Sequence, residues 1–182
     1  MGTVFLLSPA RCDGRRASVL LAPDASFDLA TRLRAGGAPI GETFAFLSGL
    51  YFRGKLAYAS AFGTAFVITT DRGLLAADTI VTRDDLQTFA RVDLGLADER
   101  FVAPLEHDAA RLAGQDTRAV LLGSIATGKY TDTLTRVFGE RLLFPAEFVG
   151  RGDMSRGGLL LRHVAGAREL DYVSVLGAVR RG

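Results

Sequence analysis

Four short apolar runs set between segments of helical spacing constrain this chain more than any other feature. They are "TVFLL" at 3–7, "AFVITT" at 65–70, "RAVLLGS" at 118–124 and "RLLFP" at 141–145. Runs of this length without polar alternation suit strands buried on both faces, which a sheet achieves only when helices cover each side. The intervening segments supply those helices. "DASFDLATRLR" offers Asp24 or Ser26 as an N-cap, Phe27, Ala30 and Leu33 on one face, and Gly36-Gly37 as a stop. Residues 39–63 read as helical segments broken near Gly49 or Gly54, and Thr82 with Asp85 three positions on predicts a capping box. "PLEHDAARLAG", "ATGKYTDTLTRVFGE" and "GGLLLRHV" complete the helices, and "ELDYVSVL" is a last strand with fair alternation. Strands alternating with helices predict one α/β domain over residues 1–182, with a mostly parallel or mixed sheet and helices on both faces.

Composition agrees with one ordered core. A chain of 182 residues suits a single domain, and 48% hydrophobic with 23% charged residues is ordinary for a globular protein. The single Cys12 has no internal disulfide partner, and His107 and His163 have no metal-ligand spacing, so neither metal nor cofactor is expected. No apolar run approaches a membrane span, and the opening residues read as a strand with no basic segment ahead of it. A cytoplasmic protein is the expectation. Net charge is +2, yet Arg supplies twenty of the twenty-two basic residues, which makes Lys55 and Lys129 informative.

Three loops carry candidate chemistry. "SPARCDGRR" places Ser8, Arg11, Cys12 and Asp13 after the first strand, where neighbouring guanidinium groups would favour a thiolate; an ordinary loop cysteine is the competing reading. "GSIATGKYTD" follows a strand and leads into a helix. Its Gly123 and Gly128 have P-loop spacing, but Tyr130 stands where magnesium would need a Ser or Thr, so only simple anion capture by Lys129 and a helix start is expected. "GRGDMSRGG" sets Arg151 and Arg156 among glycines, with Asp153 between them. The sequence predicts that Arg156 opens a helix, that Asp153 orients an arginine, and that Gly152, Gly157 and Gly158 keep an approach open to an anion. An arginine-rich surface turn is the alternative.

In order along the chain, "LLSPAR", "LSGLYFRGKLAYASAF", "VITTDRGLLAADTIV", "VLLGSIATGKYTDTL", "LLFPAEF" and "GRGDMSRGGLLLR" resemble the motif series of the YaaA peroxide-stress family. The resemblance implies a cytoplasmic α/β protein that binds DNA and limits oxidative damage, with basic residues lining one cleft. Carried over, it points to Ser8, Arg11, Tyr51, Lys55, Asp71, Arg72, Asp78, Ser124, Lys129, Tyr130, Arg151, Met154 and Arg156. Arg11 stands where the family has Lys, "TTDRGLL" lacks a Tyr before Gly73, and an acidic Tyr-containing stretch is missing. DNA or nucleotide binding through an Arg/Lys-lined cleft is thus the leading expectation. The alternatives are an enzyme acting on a nucleoside, nucleotide or nucleobase, with Asp13, Asp71 or Asp153 as acid or base, and a non-catalytic protein-interaction module.

Overall fold

A computed structural model describes residues 2–92 and 98–178. In chain order its elements are β1 (Gly2–Leu7), α1 (Arg15–Leu21), α2 (Asp28–Ala35), β2 (Ala38–Pro39), α3 (Ile40–Ser48), α4 (Leu50–Phe62), β3 (Thr64–Ile68), β4 (Leu74–Ala76) and β5 (Ile80–Val81). The chain continues through α5 (Arg83–Arg91), α6 (Glu99–Ala113), β6 (Thr117–Leu122), α7 (Thr131–Phe138), β7 (Leu142–Pro145), α8 (Asp153–Ala165) and β8 (Tyr172–Ser174), with short 3-10 turns on either side of β7.

The main sheet has the order β4-β3-β1-β6-β7-β8, and β2 and β5 form a two-stranded ribbon apart from it. β3, β1, β6 and β7 run parallel, while β4 and β8 close the two edges antiparallel. This is the expected α/β fold with a mixed sheet. Phe5, Leu6 and Leu7 of β1 and Val120, Leu121 and Leu122 of β6 are wholly buried, so both faces of the sheet centre are covered. α4 packs on α8 and on β1 and β3; α6 and α7 pack on each other, with α6 meeting β4 and α7 meeting β7.

Local chemistry sets most boundaries. The Thr82–Asp85 capping box is present, with the Thr82 side chain accepting from the Asp85 amide and the Asp85 carboxylate accepting from the Thr82 amide. Of the two candidate breaks between α3 and α4 the chain uses Gly49, at φ 73°. Other boundaries differ from expectation. α2 starts at Asp28 with an extended Phe27 as its N-cap, later than Asp24 or Ser26 would set it, and the Phe27 ring stacks on Phe46. α1 lies in a stretch that reads as loop; Ala17 and Leu20 are its buried anchors, and Arg16 Nη1 donates to Phe46 O at 2.9 Å. α6 begins five residues before Pro104, capped by Asp98, and α7 begins only at Thr131.

Candidate functional site

The strand order places a crevice. From β1 the chain moves outward to β3, then returns to the other side of β1 to lay down β6, so the connections leave β1 and β6 in opposite directions. Ligands of open α/β sheets bind at such a switch point, beyond the carboxyl ends of the strands. Here β1 ends into Ser8, β6 into Gly123 and Ser124, and β7 into the segment that leads to Arg151 and Arg156. The Ser8 amide donates to Leu122 O at 3.1 Å, holding the two strand ends together.

Lys55 is the centre of this crevice. It is 1% exposed, and its Nζ donates to Ser8 O at 2.8 Å and to Ser8 Oγ at 2.7 Å. The amine also stands 4.4 Å from the centroid of the Tyr51 ring and 4.8 Å from that of Phe52. Burial brings its pKa down to about 7, with Asp153 opposing that fall and Arg156 adding to it. On the other side of Ser8, Tyr130 Oη accepts from the Ser124 amide at 3.1 Å, and the Ser8 hydroxyl favours its ionised form. Even so, burial raises the Tyr130 pKa, so the phenol is protonated at neutral pH. A side chain on Gly123 would come within 2.8 Å of Tyr130 Oη and 3.1 Å of Ser8 Oγ, so only glycine lets these groups meet. The Tyr51 hydroxyl is buried with no hydrogen-bond partner among the described residues; the nearby Arg156 favours its ionisation, but burial dominates and raises its pKa.

Three concavities surround this cluster. The first, about 280 Å³, is lined by Ser8, Arg11, Tyr51, Lys55 and Asp153 among others. The second, about 290 Å³, has Gly123, Ser124, Arg151 and Arg156 against Phe144 and Phe148. The third, about 500 Å³, holds Arg11, Cys12, Asp13 and Lys129. Ser8, Arg11, Tyr51, Lys55, Ser124, Lys129, Arg151 and Arg156 therefore line concavities beyond the carboxyl ends of the strands, and Tyr130 joins them through its hydrogen bond with the Ser124 amide.

Others fall elsewhere or act differently from expectation. Arg72 pairs with Asp85 at 3.4 Å, and Asp71, whose pKa burial raises, interacts with Arg72, Asp85 and Arg100; neither residue lines these three concavities. Asp78 is exposed in the turn between β4 and β5, and Met154, 69% exposed, lines a separate groove beside α3. Asp13 accepts from Arg11 at 3.1 Å on the surface, and that hydrogen bond lowers its pKa, which leaves it unsuited to act as an acid. Cys12 is no activated thiol: burial, with Asp13 adding to it, pushes its pKa up to about 12.

The "GSIATGKY" turn spends its donors internally. Ser124 N–H goes to Tyr130, the Ala126 amide donates to Ser124 Oγ at 3.2 Å, and Lys129 is exposed. In "GRGDMSRGG" the helix begins at Asp153, three residues before Arg156. Arg156 is oriented by Phe148 O, which accepts from its Nε at 3.2 Å and its Nη2 at 3.0 Å; Asp153 is 4.0 Å away. Arg151 donates from Nε to Glu147 O and from Nη1 to Ser155 Oγ. Gly157 is buried against the backbone of Leu50 and Tyr51, so it serves a helix crossing and not an open approach.

The role of Lys55 as a buried amine was not visible as such in the sequence, although Tyr51, Lys55 and Tyr58 lie at i, i+4 and i+7 on one helical face that includes core positions. No protein-family model matches the chain, and no curated protein and no solved structure proves similar to it.

Proposed function

We propose that this protein binds a nucleotide-sized, phosphate-bearing ligand at the switch-point crevice. The observation that carries the reading is the concavity of about 290 Å³ in which Arg151 and Arg156 face the Gly123–Ser124 turn over Phe144 and Phe148. Two guanidinium groups, one of them, Arg156, lying 5.3 Å from the centroid of the Phe148 ring, suit a phosphate joined to a flat base. Backbone and side-chain contacts hold the two guanidinium planes in place: Arg151 on Glu147 O and Ser155 Oγ, and Arg156 on Phe148 O, with Asp153 4.0 Å from its Nη1. A net charge of +2 and a concave site favour a mononucleotide over duplex DNA, which calls for a basic stripe. A cytoplasmic role in limiting oxidative damage, implied by the YaaA-type resemblance, is the context we propose for that binding.

The test is calorimetric titration with a nucleoside monophosphate and with a short DNA duplex, each at about 50 and 200 mM salt. Saturable mononucleotide binding with a shallow salt dependence is expected. Arg156→Ala should weaken it by about 2 kcal/mol, the scale of a charged hydrogen bond, and Arg156→Lys should restore only part because an ammonium lacks the planar fork. Binding confined to duplex, with affinity collapsing as salt rises, would replace this reading with DNA binding. Binding of neither ligand would leave the interaction-module alternative.

A further inference from the structure

We propose that Ser8 is a nucleophile and Lys55 its general base, and that the pair transfers an acyl group from an ester or thioester substrate to water. The inference rests on the ligand reading above only for the anionic tail of that substrate; the reactive pair stands on its own geometry.

The geometry is that of an activated hydroxyl. A serine hydroxyl is a weak nucleophile until a base within hydrogen-bond reach takes its proton. Ser8 Oγ lies 2.7 Å from Lys55 Nζ, and a second Lys55 hydrogen bond, to Ser8 O at 2.8 Å, locks the amine in place. As a neutral amine Nζ still donates to the carbonyl, and its lone pair accepts the Ser8 O–H. Among the described residues no carboxylate hydrogen-bonds to this amine; Asp153 lines the same concavity but is largely exposed. Buried lysines elsewhere are matched by acids, whereas this one is matched by a hydroxyl that lines a concavity of about 280 Å³. Tyr51 lines the same concavity and brings a buried phenol proton that no described residue accepts. Such a proton is what an oxyanion forming beside Ser8 requires.

The step balances without a co-reactant other than water. Ser8 Oγ bonds to the carbonyl carbon as its proton passes to Lys55 Nζ, and the carbonyl π electrons move onto oxygen, where Tyr51 donates a hydrogen bond. Collapse of this intermediate breaks the bond to the leaving oxygen or sulfur, which takes the proton from the Lys55 ammonium. The products are acyl-Ser8, a neutral Lys55 and an alcohol or thiol. Water then attacks the acyl carbon, giving its proton to Lys55, and Ser8 departs by taking that proton back. The sum is ester plus water giving carboxylic acid plus alcohol.

The groups facing Lys55 set the pH at which this works. Tyr51 and Tyr130 are neutral phenols, Arg156 favours loss of the lysine proton, and Asp153 favours its retention. Reactivity should therefore rise through about pH 7 as the amine becomes neutral.

The test uses the wild-type protein and a small uncharged alkyl fluorophosphonate, followed by mass spectrometry of the labelled peptide. Labelling at Ser8, with a rate that climbs through about pH 7 and then levels, is expected. Lys55→Met, checked for folding by circular dichroism, should slow it by about 100-fold or more, and Tyr51→Phe by a smaller factor. A wild-type protein that stays unlabelled at Ser8 from mildly acidic to alkaline pH overturns the proposal, as does a rate that is flat across neutral pH or unchanged in folded Lys55→Met. Because the nucleotide titration involves no chemistry at Ser8, the two readings fail separately. Labelling without nucleotide binding rejects the ligand reading alone, and nucleotide binding without labelling rejects the nucleophile alone.

Discussion

Lys55 carries an electrostatic consequence that falls at neutral pH. Its amine is buried with a pKa near 7, whereas in an unfolded chain it titrates at about 10.4. Between those values the unfolded chain holds a proton that the folded protein has released, so stability rises with pH. Below about pH 7 both states are protonated, and the unfavourable contribution is complete. Chemical unfolding of the wild type should show a gain of up to roughly 1.4 kcal/mol per pH unit from about pH 7.5 to 9.5. In Lys55→Met that component should vanish, and an unchanged slope would mean that the amine is not the source. The same residue shows how a sequence misleads. Read from the sequence, Lys55 is a cation lining a cleft for an anion, and only its place on the buried face of α4 turns it into a buried base. Cys12 is the converse case, since arginines next to it in sequence suggest a thiolate while its burial against the Ala10 carbonyl enforces the thiol.

At the scale of elements, the crossing of α4 and α8 aims the second arginine. A side chain on Gly54 would meet Gly157 O at 2.7 Å, and one on Gly157 would meet Leu50 O and the Tyr51 Cα at 2.9 Å. The two helices thus touch backbone to backbone, and the turn bearing Asp153 and Arg156 is fixed against Tyr51 and Lys55. Gly157→Ala gains about 1 kcal/mol of helix propensity, but its methyl group meets backbone that cannot move cheaply. A net loss of about 1–3 kcal/mol is expected, together with weaker ligand binding as Arg156 shifts. Gly158→Ala provides the contrast, because its methyl would meet only the flexible end of Arg162 at 3.3 Å. In urea titrations of both variants, Gly158→Ala should be neutral or more stable by up to about 1 kcal/mol. Adjacent glycines that read alike in sequence thus differ in sign once the partner helix is present.

For the whole molecule, the buried apolar residues form one continuous cluster that runs from β1 through the helices on each face to Leu170 and Val175 near the edge strand β8. The far edge is pinned by Tyr58, whose hydroxyl accepts from the Leu170 amide at 2.7 Å and pairs with the Tyr172 hydroxyl. A core without an internal seam should melt as a unit. Scanning calorimetry should give one transition with equal calorimetric and van't Hoff enthalpies and a heat-capacity increment of about 2.5 kcal/mol/K. Two resolved transitions would show that the chain has more than one cooperative unit.

Local rules determined the β1, β6 and β7 runs, the α5 capping box and the helical stretch around Gly49, because each depends on neighbours within a few residues: apolar runs, a Thr-to-Asp reach, a chain break. The α/β class followed from their alternation. Where local preference was weak, boundaries moved, as in α1 and the late start of α7, and the antiparallel edge strand β4 forms outside the four apolar runs by pairing with β3. The site was half legible. Ser8, Lys55, Ser124, Tyr130 and Arg156 stand out as residue types at strand ends and on helices, but nothing local says that Ser8 meets a lysine 47 positions away or that Phe148 O holds Arg156. Those partners are set by strand order and by the glycine contact between α4 and α8. Burial, which decides whether an amine is a cation or a base and a thiol a nucleophile or a packed side chain, exists only after distant segments have closed around it.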